Sequence, residues 1–246
     1  MKKQIVLISA LTASLLTFLP SQKSSASVLT FNIDNLANEQ SIPQGYGDNI
    51  DSIKDGFFNY EQGNNFTDKI TVQYRTLSLS NFGTSNYSGT NGLSYYESAS
   101  GDDYSGLNKV AYAAGGDVIG EISFIPETGV SVLLNSFDLS TYLNEPGDNQ
   151  RLAVFDENYN ILWTSNGVTN SSDAFVNITE NAKLTLLPNI THNGILRIQF
   201  GNSGNIGISN INFDQVLEIP EPSSVMGILF LGGLGLASMK KKFGDN

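Results

Sequence analysis

The sequence predicts an all-β protein, a sandwich or a barrel, between two terminal segments that are not part of the fold. Apolar and polar residues alternate in short runs such as Ile70–Tyr74 and Leu196–Phe200, which is the period of a half-buried strand. Turns rich in Gly, Asn and Ser separate these runs. The body between the termini has no continuous helical pattern as long as about a dozen residues. Many short strands with such turns indicate packed β-sheets.

The pattern predicts one hairpin within this series of strands. Leu152–Phe155 and Ile161–Thr164 flank the polar run Asp156–Asn160, which indicates two strands joined by a five-residue turn. In Leu196–Phe200 we expect Arg197 and Gln199 to face outward. Further strands are predicted at Ile122–Phe124, Val130–Val132 and Ile206–Phe213.

The last strand contains a break in its alternation. Ile206 and Ile208 alternate, and Ile211 and Phe213 resume the pattern after a slip of one residue. The slip predicts a β-bulge around Ser209-Asn210. Earlier in the body, Gly83–Gly106 has little periodicity and predicts a long loop, or a hairpin displayed at one end of the sandwich.

The N-terminus has the three parts of a secretory signal peptide. Lys2-Lys3 precede an apolar stretch, Ile5–Leu19, and a polar region that ends in Ser24-Ser25-Ala26. This order is typical of an exported precursor. We predict a signal peptide over residues 1–26, with cleavage after Ala26.

The C-terminus has a rigid break, an apolar run and a basic end. Pro220-Glu221-Pro222 precede Val225–Met239, and Lys240-Lys241-Lys242 follow it. Fifteen residues reach roughly 22 Å as a helix, which is short for a bilayer core of about 30 Å. The lysines would hold the C-terminus in the cytoplasm. The segment is therefore better suited to transient membrane insertion than to permanent anchoring.

These C-terminal residues resemble the PEP-CTERM sorting signal of bacterial envelope proteins. The resemblance assigns a sorting tail to residues 219–246, with a hydrophobic segment at about 223–239 and the basic cluster at 240–242. It implies transient tethering to the inner membrane and processing near Pro220-Glu221-Pro222 by an exosortase-type peptidase. The final location would be the cell envelope or extracellular matrix. The extension Phe243–Asn246 and the lack of arginine in the basic cluster depart from the pattern.

Residues 27–218 form the predicted body, which is similar to galactose-binding-like jelly rolls. The similarity lies in Gly45–Asp48 followed by Ile70–Tyr74, in Val132–Leu139, in Leu162-Trp163 and in the last two predicted strands. It implies a jelly-roll-type β-sandwich, and it supports fold more than activity.

The composition of the body excludes several classes of function. Residues 27–218 hold seven Lys or Arg and 22 Asp or Glu, a formal charge of −15, which argues against nucleic acid or anionic lipid as a partner. The chain has no cysteine and hence neither a disulfide nor a thiol nucleophile. About 190 residues are enough for one core.

We predict that the protein is not an enzyme. The single histidine, His192, lies in a predicted exposed turn, and no Gly-x-Ser-x-Gly elbow accompanies it. One histidine is also too few for a zinc site with nitrogen or sulfur ligands. Paired carboxylates could still serve a glycosidase, and Asp102-Asp103 are the first candidates for such a pair.

Two binding sites are candidates. Calcium binds carboxylate and carbonyl oxygens, and Asp48, Asn49, Asp51 and Asp55 offer such ligands within a short segment. Sugar rings stack on aromatic side chains. The candidate platforms in the polar middle segment are Tyr87, Tyr95, Tyr96 and Tyr104. The alternative is that some of these tyrosines cover the edge of the sandwich; Trp163 is predicted to be in the core.

The sequence thus predicts an exported envelope protein with a non-catalytic module for carbohydrate or exopolysaccharide. One alternative is a secreted hydrolase that acts on polysaccharide with paired carboxylates. Another is a purely structural surface protein without a ligand.

Overall fold

A computed structural model describes residues 25–62, 66–84, 92–98, 103–144, 146–179, 182–202 and 205–218. The described residues contain β-strands and three short 3₁₀ turns, and no α-helix. The strands are β1 (Ser25–Ile33), β2 (Lys54–Asp55), β3 (Phe58–Gln62), β4 (Ile70–Ser78), β5 (Ser94–Glu97), β6 (Lys109–Tyr112), β7 (Val118–Pro126), β8 (Val130–Thr141), β9 (Gly147–Phe155), β10 (Ile161–Trp163), β11 (Phe175–Ile178), β12 (Leu184–Leu186), β13 (Ile190–His192), β14 (Leu196–Phe200) and β15 (Ile206–Leu217).

Two antiparallel sheets pack face to face. Sheet A has the order β12-β8-β15-β1-β3-β2, with β13 beside β8 and the β5–β6 hairpin joined to β15. Sheet B has the order β10-β9-β14-β7-β4, with β11 beside β9. Alternate side chains of both sheets share one core, and Phe124 of sheet B meets Phe213 of sheet A with 4.7 Å between ring centroids. The predicted all-β sandwich is confirmed; its jelly-roll connectivity stays a prediction.

The period-2 runs correspond to real strands. Leu196–Phe200 is β14 with the predicted bounds, and Ile70–Tyr74 begins β4. The β9–β10 hairpin has Asp156–Asn160 as its five-residue turn, as predicted. In the middle segment, β5 and β6 form a hairpin. Trp163 is partly buried against the main core.

The prediction for Arg197 and Gln199 is half right. Both side chains face away from the main core, but they are not exposed: Arg197 is 9% and Gln199 0% accessible. A second apolar cluster, which includes Phe82 and Phe155, covers this outer face of sheet B. The backbone N–H of Gly83 in this cover donates to Gln199 Oε1 at 2.7 Å.

Beneath this cover lies a buried carboxylate. Glu121 is fully buried, and its Oε2 accepts a hydrogen bond from Gln199 Nε2 at 2.8 Å. The guanidinium groups of Arg197 and Arg75 lie 3.5 and 3.8 Å from Glu121 Oε1. The Gln199 amide thus joins the backbone of Gly83 in the cover to the buried Glu121 carboxylate, which fixes the position of the cover over sheet B.

Two left-handed residues bend the central strands of sheet A. Phe31 in β1 has φ 56° and Asn210 in β15 has φ 50°, a region that non-glycine residues seldom adopt. Each coincides with a shift of strand register. The bulge predicted around Ser209-Asn210 is confirmed, and the bulge at Phe31 is a second one that the sequence pattern does not reveal.

A tyrosine network supports the bulge in β1. The N–H of Phe31 donates to Tyr46 Oη at 2.7 Å, and Tyr74 Oη donates to the carbonyl of Tyr46 at 2.7 Å. Tyr60 Oη accepts from Gly47 N–H at 2.9 Å. Burial raises the pKa of Tyr60 to about 12 and also raises that of Tyr46, as expected for phenols that are removed from water.

The predicted terminal segments lie almost entirely outside the described residues. Only Ser25 and Ala26 of the predicted signal peptide are described, and they begin β1. The sorting tail, residues 219–246, is not described at all. Within the described ranges, no helix is long and apolar enough to cross a membrane.

We expect Tyr46→Phe to lower the free energy of unfolding by about 2 kcal/mol, because it leaves the buried N–H of Phe31 without an acceptor. Urea denaturation followed by tyrosine and tryptophan fluorescence measures the change. Tyr142→Phe is the matched control, since Tyr142 Oη lies 3.5 Å from Tyr96 Oη, too far for a strong hydrogen bond. Equal losses in the two variants would contradict the role of Tyr46.

Candidate functional site

A polar groove of about 290 Å³ opens on the outer face of sheet A. Strands β1, β3, β6 and β15 and the turn before β6 contribute to its walls. Its lining residues are Thr30, Asn32, Glu61, Gly106, Leu107, Asn108, Lys109, Ser209 and Asn210. Three amides, two hydroxyls, one ammonium and one carboxylate thus surround one depression.

The groove exists because β1 and β15 separate. The two strands pair as far as Leu29 opposite Ile211 and no further. Beyond that pair, the bulges at Phe31 and Asn210 turn the strands apart. The same edge of β15 then pairs with β6 at Gly207-Ile208. The lining residues are therefore those at the point where β15 exchanges one neighbour for another.

Charged neighbours fix the orientation of two groove amides. Lys109 Nζ donates to Asn32 Oδ1 at 2.7 Å, and an ammonium can only donate. Asn32 must therefore direct its oxygen to Lys109, which leaves its NH₂ group as a donor. Asn210 Nδ2 donates to Asp138 Oδ2 at 2.7 Å, and an ionised carboxylate can only accept. Asn210 is thus left with Oδ1 as an acceptor.

Asp138 is the positioning group behind Asn210. It is buried and also accepts from Thr185 Oγ1 at 2.6 Å and from Lys183 Nζ at 3.0 Å. Burial raises the pKa of Asp138, but the hydrogen bonds from Asn210, Thr185 and Lys183 lower it by more, so the pKa lies below its usual value. Asp138 therefore stays ionised and holds the Asn210 amide.

The mouth of the groove keeps polar groups that the fold does not use. Asn108 and Glu61 are exposed, and across the described part of the chain neither side chain makes a hydrogen bond. Lys109 Nζ lies 3.5 Å from Glu97 Oε1, so the Glu97 carboxylate partly balances the charge of the Lys109 ammonium. Donors, acceptors and balanced charge together suit a neutral ligand with many hydroxyl groups.

The predicted tyrosine platforms are not exposed. Tyr95 is 0% and Tyr104 2% accessible, so the expectation of an exposed ring is wrong for both. Tyr96 is half-buried, and its hydroxyl donates to Asp103 Oδ2 at 3.0 Å. The rings of Tyr96, Tyr104 and Tyr142 pack within 5.6 Å of one another. They form a cluster on the outer face of sheet A, where Tyr104 lies against Gly207 of β15; Tyr87 lies outside the described residues.

The predicted calcium ligands lie along one segment without converging. Asp48 Oδ1 accepts from Val72 N–H at 2.6 Å, and burial raises the pKa of this carboxyl more than that bond lowers it. Asn49, Asp51 and Asp55 are exposed. In the described ranges, no three His, Cys, Asp or Glu side chains come together as a metal site would require. Calcium binding stays a prediction from the sequence.

His192 is neither isolated nor in a turn. It ends β13, and its Nε2 lies 2.7 Å from Glu157 Oε2 in the β9–β10 turn. This hydrogen bond lowers the pKa of Glu157. The pair ties the hairpin to β13. Asp103 of the suspected acid pair is engaged with Tyr96, and Asp102 lies outside the described residues.

Sequence patterns miss most of the groove. None of its lining residues is among the predicted binding residues, because the site unites positions that are far apart in the chain. One sequence signal points to the groove: the predicted bulge at Ser209-Asn210 lies where β15 exchanges β1 for β6 as its neighbour. Bulges often lie beside functional sites.

A family model described as the PEP-CTERM protein-sorting motif matches residues 218–242. The chain therefore carries this sorting motif near its C-terminus, and the match begins at the last residue of the body, Glu218. No curated protein matches the chain significantly. The motif implies an exported protein that passes through the membrane on its way to the envelope, and processing by an exosortase, which is a membrane protein.

We expect Asp138→Asn to lower the free energy of unfolding by about 2 kcal/mol at pH 7, because hydrogen bonds to a charged group are lost. Since the folded pKa of Asp138 is lowered, its contribution is complete above the unfolded-chain pKa of about 3.9 and is lost as the pH falls through the folded pKa. The difference between wild type and variant should therefore shrink below about pH 4. Urea denaturation between pH 7 and 3 measures it.

Asp51→Asn is the control, since Asp51 is exposed and should change stability by less than about 0.5 kcal/mol. A difference between wild type and Asp138→Asn that stayed constant down to pH 3 would contradict the assigned role.

Proposed function

We propose that the exported body is a non-catalytic module that binds a neutral, polyhydroxylated polysaccharide in the groove between β1 and β15. The observation that carries the proposal is the set of oriented amides. Asn32 offers a donor and Asn210 an acceptor, each held by a charged partner. A sugar hydroxyl both donates and accepts, so neighbouring hydroxyls can satisfy both amides at once.

Preorganisation favours binding at this site. Because Lys109 and Asp138 already hold the two amides, little side-chain freedom is lost when a ligand arrives. Asn108 and Glu61 at the mouth can contact further hydroxyls. The lining includes no aromatic ring, so the site lacks the stacking that strengthens many sugar complexes. We therefore expect weak binding at this site.

The groove chemistry gives less support to a hydrolase. A glycosidase of the common type needs two carboxyl groups about 5 to 9.5 Å apart. Glu61 supplies the one carboxylate among the lining residues, and His192 is engaged with Glu157. A purely structural role without a ligand is the other alternative, and it requires none of the groove polarity.

We expect Asn108→Ala and Lys109→Met each to weaken polysaccharide binding about tenfold, which corresponds to about 1.4 kcal/mol. Isothermal titration of residues 25–218 with neutral polysaccharides, chosen by a glycan array, measures the affinity. Asn193→Ala is the matched control, because Asn193 is exposed and is not a lining residue of the groove.

The outcomes separate the three functions. Equal loss in Asn108→Ala and Asn193→Ala would contradict the assignment of the groove. Absence of binding to every sugar would favour the structural role. Release of reducing ends during the same incubation would overturn the non-catalytic proposal.

A further inference from the structure

The two ends of the described body leave it side by side. Strands β1 and β15 are antiparallel neighbours, with Ser25 opposite Gln215. The chain before β1 and the chain after β15 therefore continue from the same end of sheet A. The turns 66–69 and 127–129 lie at this end as well, because Lys69 N–H donates to Gln215 Oε1 and Val130 is opposite Leu217. The "tail end" is the surface formed by residues 66–69, 127–129 and 215–218.

The structure holds β15 firmly up to its last residues. Gln215 bridges the neighbouring turn: its Oε1 accepts from Lys69 N–H at 2.9 Å, and its Nε2 donates to Asp68 Oδ1 at 2.6 Å. The N–H of Glu218 donates to the carbonyl of Gly129 at 2.9 Å, and Ser131 Oγ donates to Glu218 Oε1 at 3.2 Å. The ordered body thus reaches the first residue of the sorting motif.

The connections to the two apolar segments are short. Residues 20–24 join the apolar run 5–19 to β1, and residues 219–224 join Glu218 to the run 225–239. A chain extends at most about 3.6 Å per residue, so neither connection spans more than about 25 Å. The nine residues of β7 alone cover about 30 Å between the two ends of the sandwich. Neither connection is long enough to let the body turn over.

We propose that the tail end is the surface of the body that faces the bilayer whenever either apolar segment is inserted. The partner is the polar headgroup surface of the membrane. The connections limit the distance between this surface and the tail end to about 25 Å. The chemistry of the tail end agrees with contact across water rather than lipid insertion. Asp68, Glu127 and Glu218 place three carboxylates there beside the single ammonium of Lys69, and such a surface does not enter hydrocarbon.

This orientation keeps the groove, which opens on the outer face of sheet A, at a distance from the membrane surface. Asn210 precedes Leu217 by seven residues along β15, about 23 Å from the tail end. The exposed turn that contains Gly116 lies at the opposite end of the sandwich, before β7. A tethered chain would therefore present its groove to the surrounding envelope while the tail is still in the bilayer.

Single fluorescent labels test the orientation, because the chain has no cysteine. Thr128→Cys and Gly116→Cys place one label at each end of β7; both positions are exposed, and a Cβ at Gly116 meets no atom within 4 Å. The 246-residue chain is reconstituted into phosphatidylcholine–phosphatidylglycerol vesicles that carry an energy acceptor on their headgroups. Flotation selects the bound chain. We expect energy transfer from Thr128→Cys to be several-fold greater than from Gly116→Cys.

The matched control lengthens both connections. Insertion of about 12 Gly and Ser residues before Ser25 and again after Glu218 lengthens each connection to roughly 18 residues, which can extend to about 65 Å. We expect the difference between the two labels to fall by more than half, while the melting temperature stays unchanged. Equal or reversed transfer in the unextended chain would overturn the proposal, as would a difference that the insertions leave intact.

Discussion

The structure depends above all on the pairing of β15 with its neighbours in the middle of sheet A. β15 pairs with β8 along most of its length, and on its other edge with β1 and then β6. Its inward side chains Ile206, Ile208, Ile211 and Phe213 are all buried. The main core, the position of both ends of the described body and the groove all follow from this one strand.

The break in that pairing produces the chemistry of the groove. A continuous ladder between β1 and β15 would leave no depression on the outer face of sheet A. The left-handed residues Phe31 and Asn210 end the ladder. The backbone N–H of Phe31 donates to the Tyr46 hydroxyl. Asp138 and Lys109 then hold the amides that border the gap. Backbone strain costs on the order of 1–3 kcal/mol per residue. These hydrogen bonds offset that cost at the site.

Local sequence patterns predicted the positions of the strands well. They predicted poorly which side chains are buried and which segments contact one another. Period-2 alternation identifies β14 and the β9–β10 hairpin, because side-chain direction in a strand depends only on sequence spacing. The same alternation could not show that Phe82 and Phe155 cover Gln199, or that Tyr95 is buried. Those facts depend on which segments meet across the sheet. The groove was missed for the same reason, since it joins residues from Thr30 to Asn210.

The central position of β15 also constrains when the protein can fold. β15 is the last strand of the body, and its partner β1 is the first. During export from the N-terminus, β1 crosses the membrane first. It therefore stays unpaired with β15 until residues near Glu218 have crossed as well. Contacts so distant in sequence form slowly, and unpaired strand edges are prone to aggregation. An apolar segment that holds the chain at the membrane just after Glu218 would keep each molecule apart from its copies while sheet A closes.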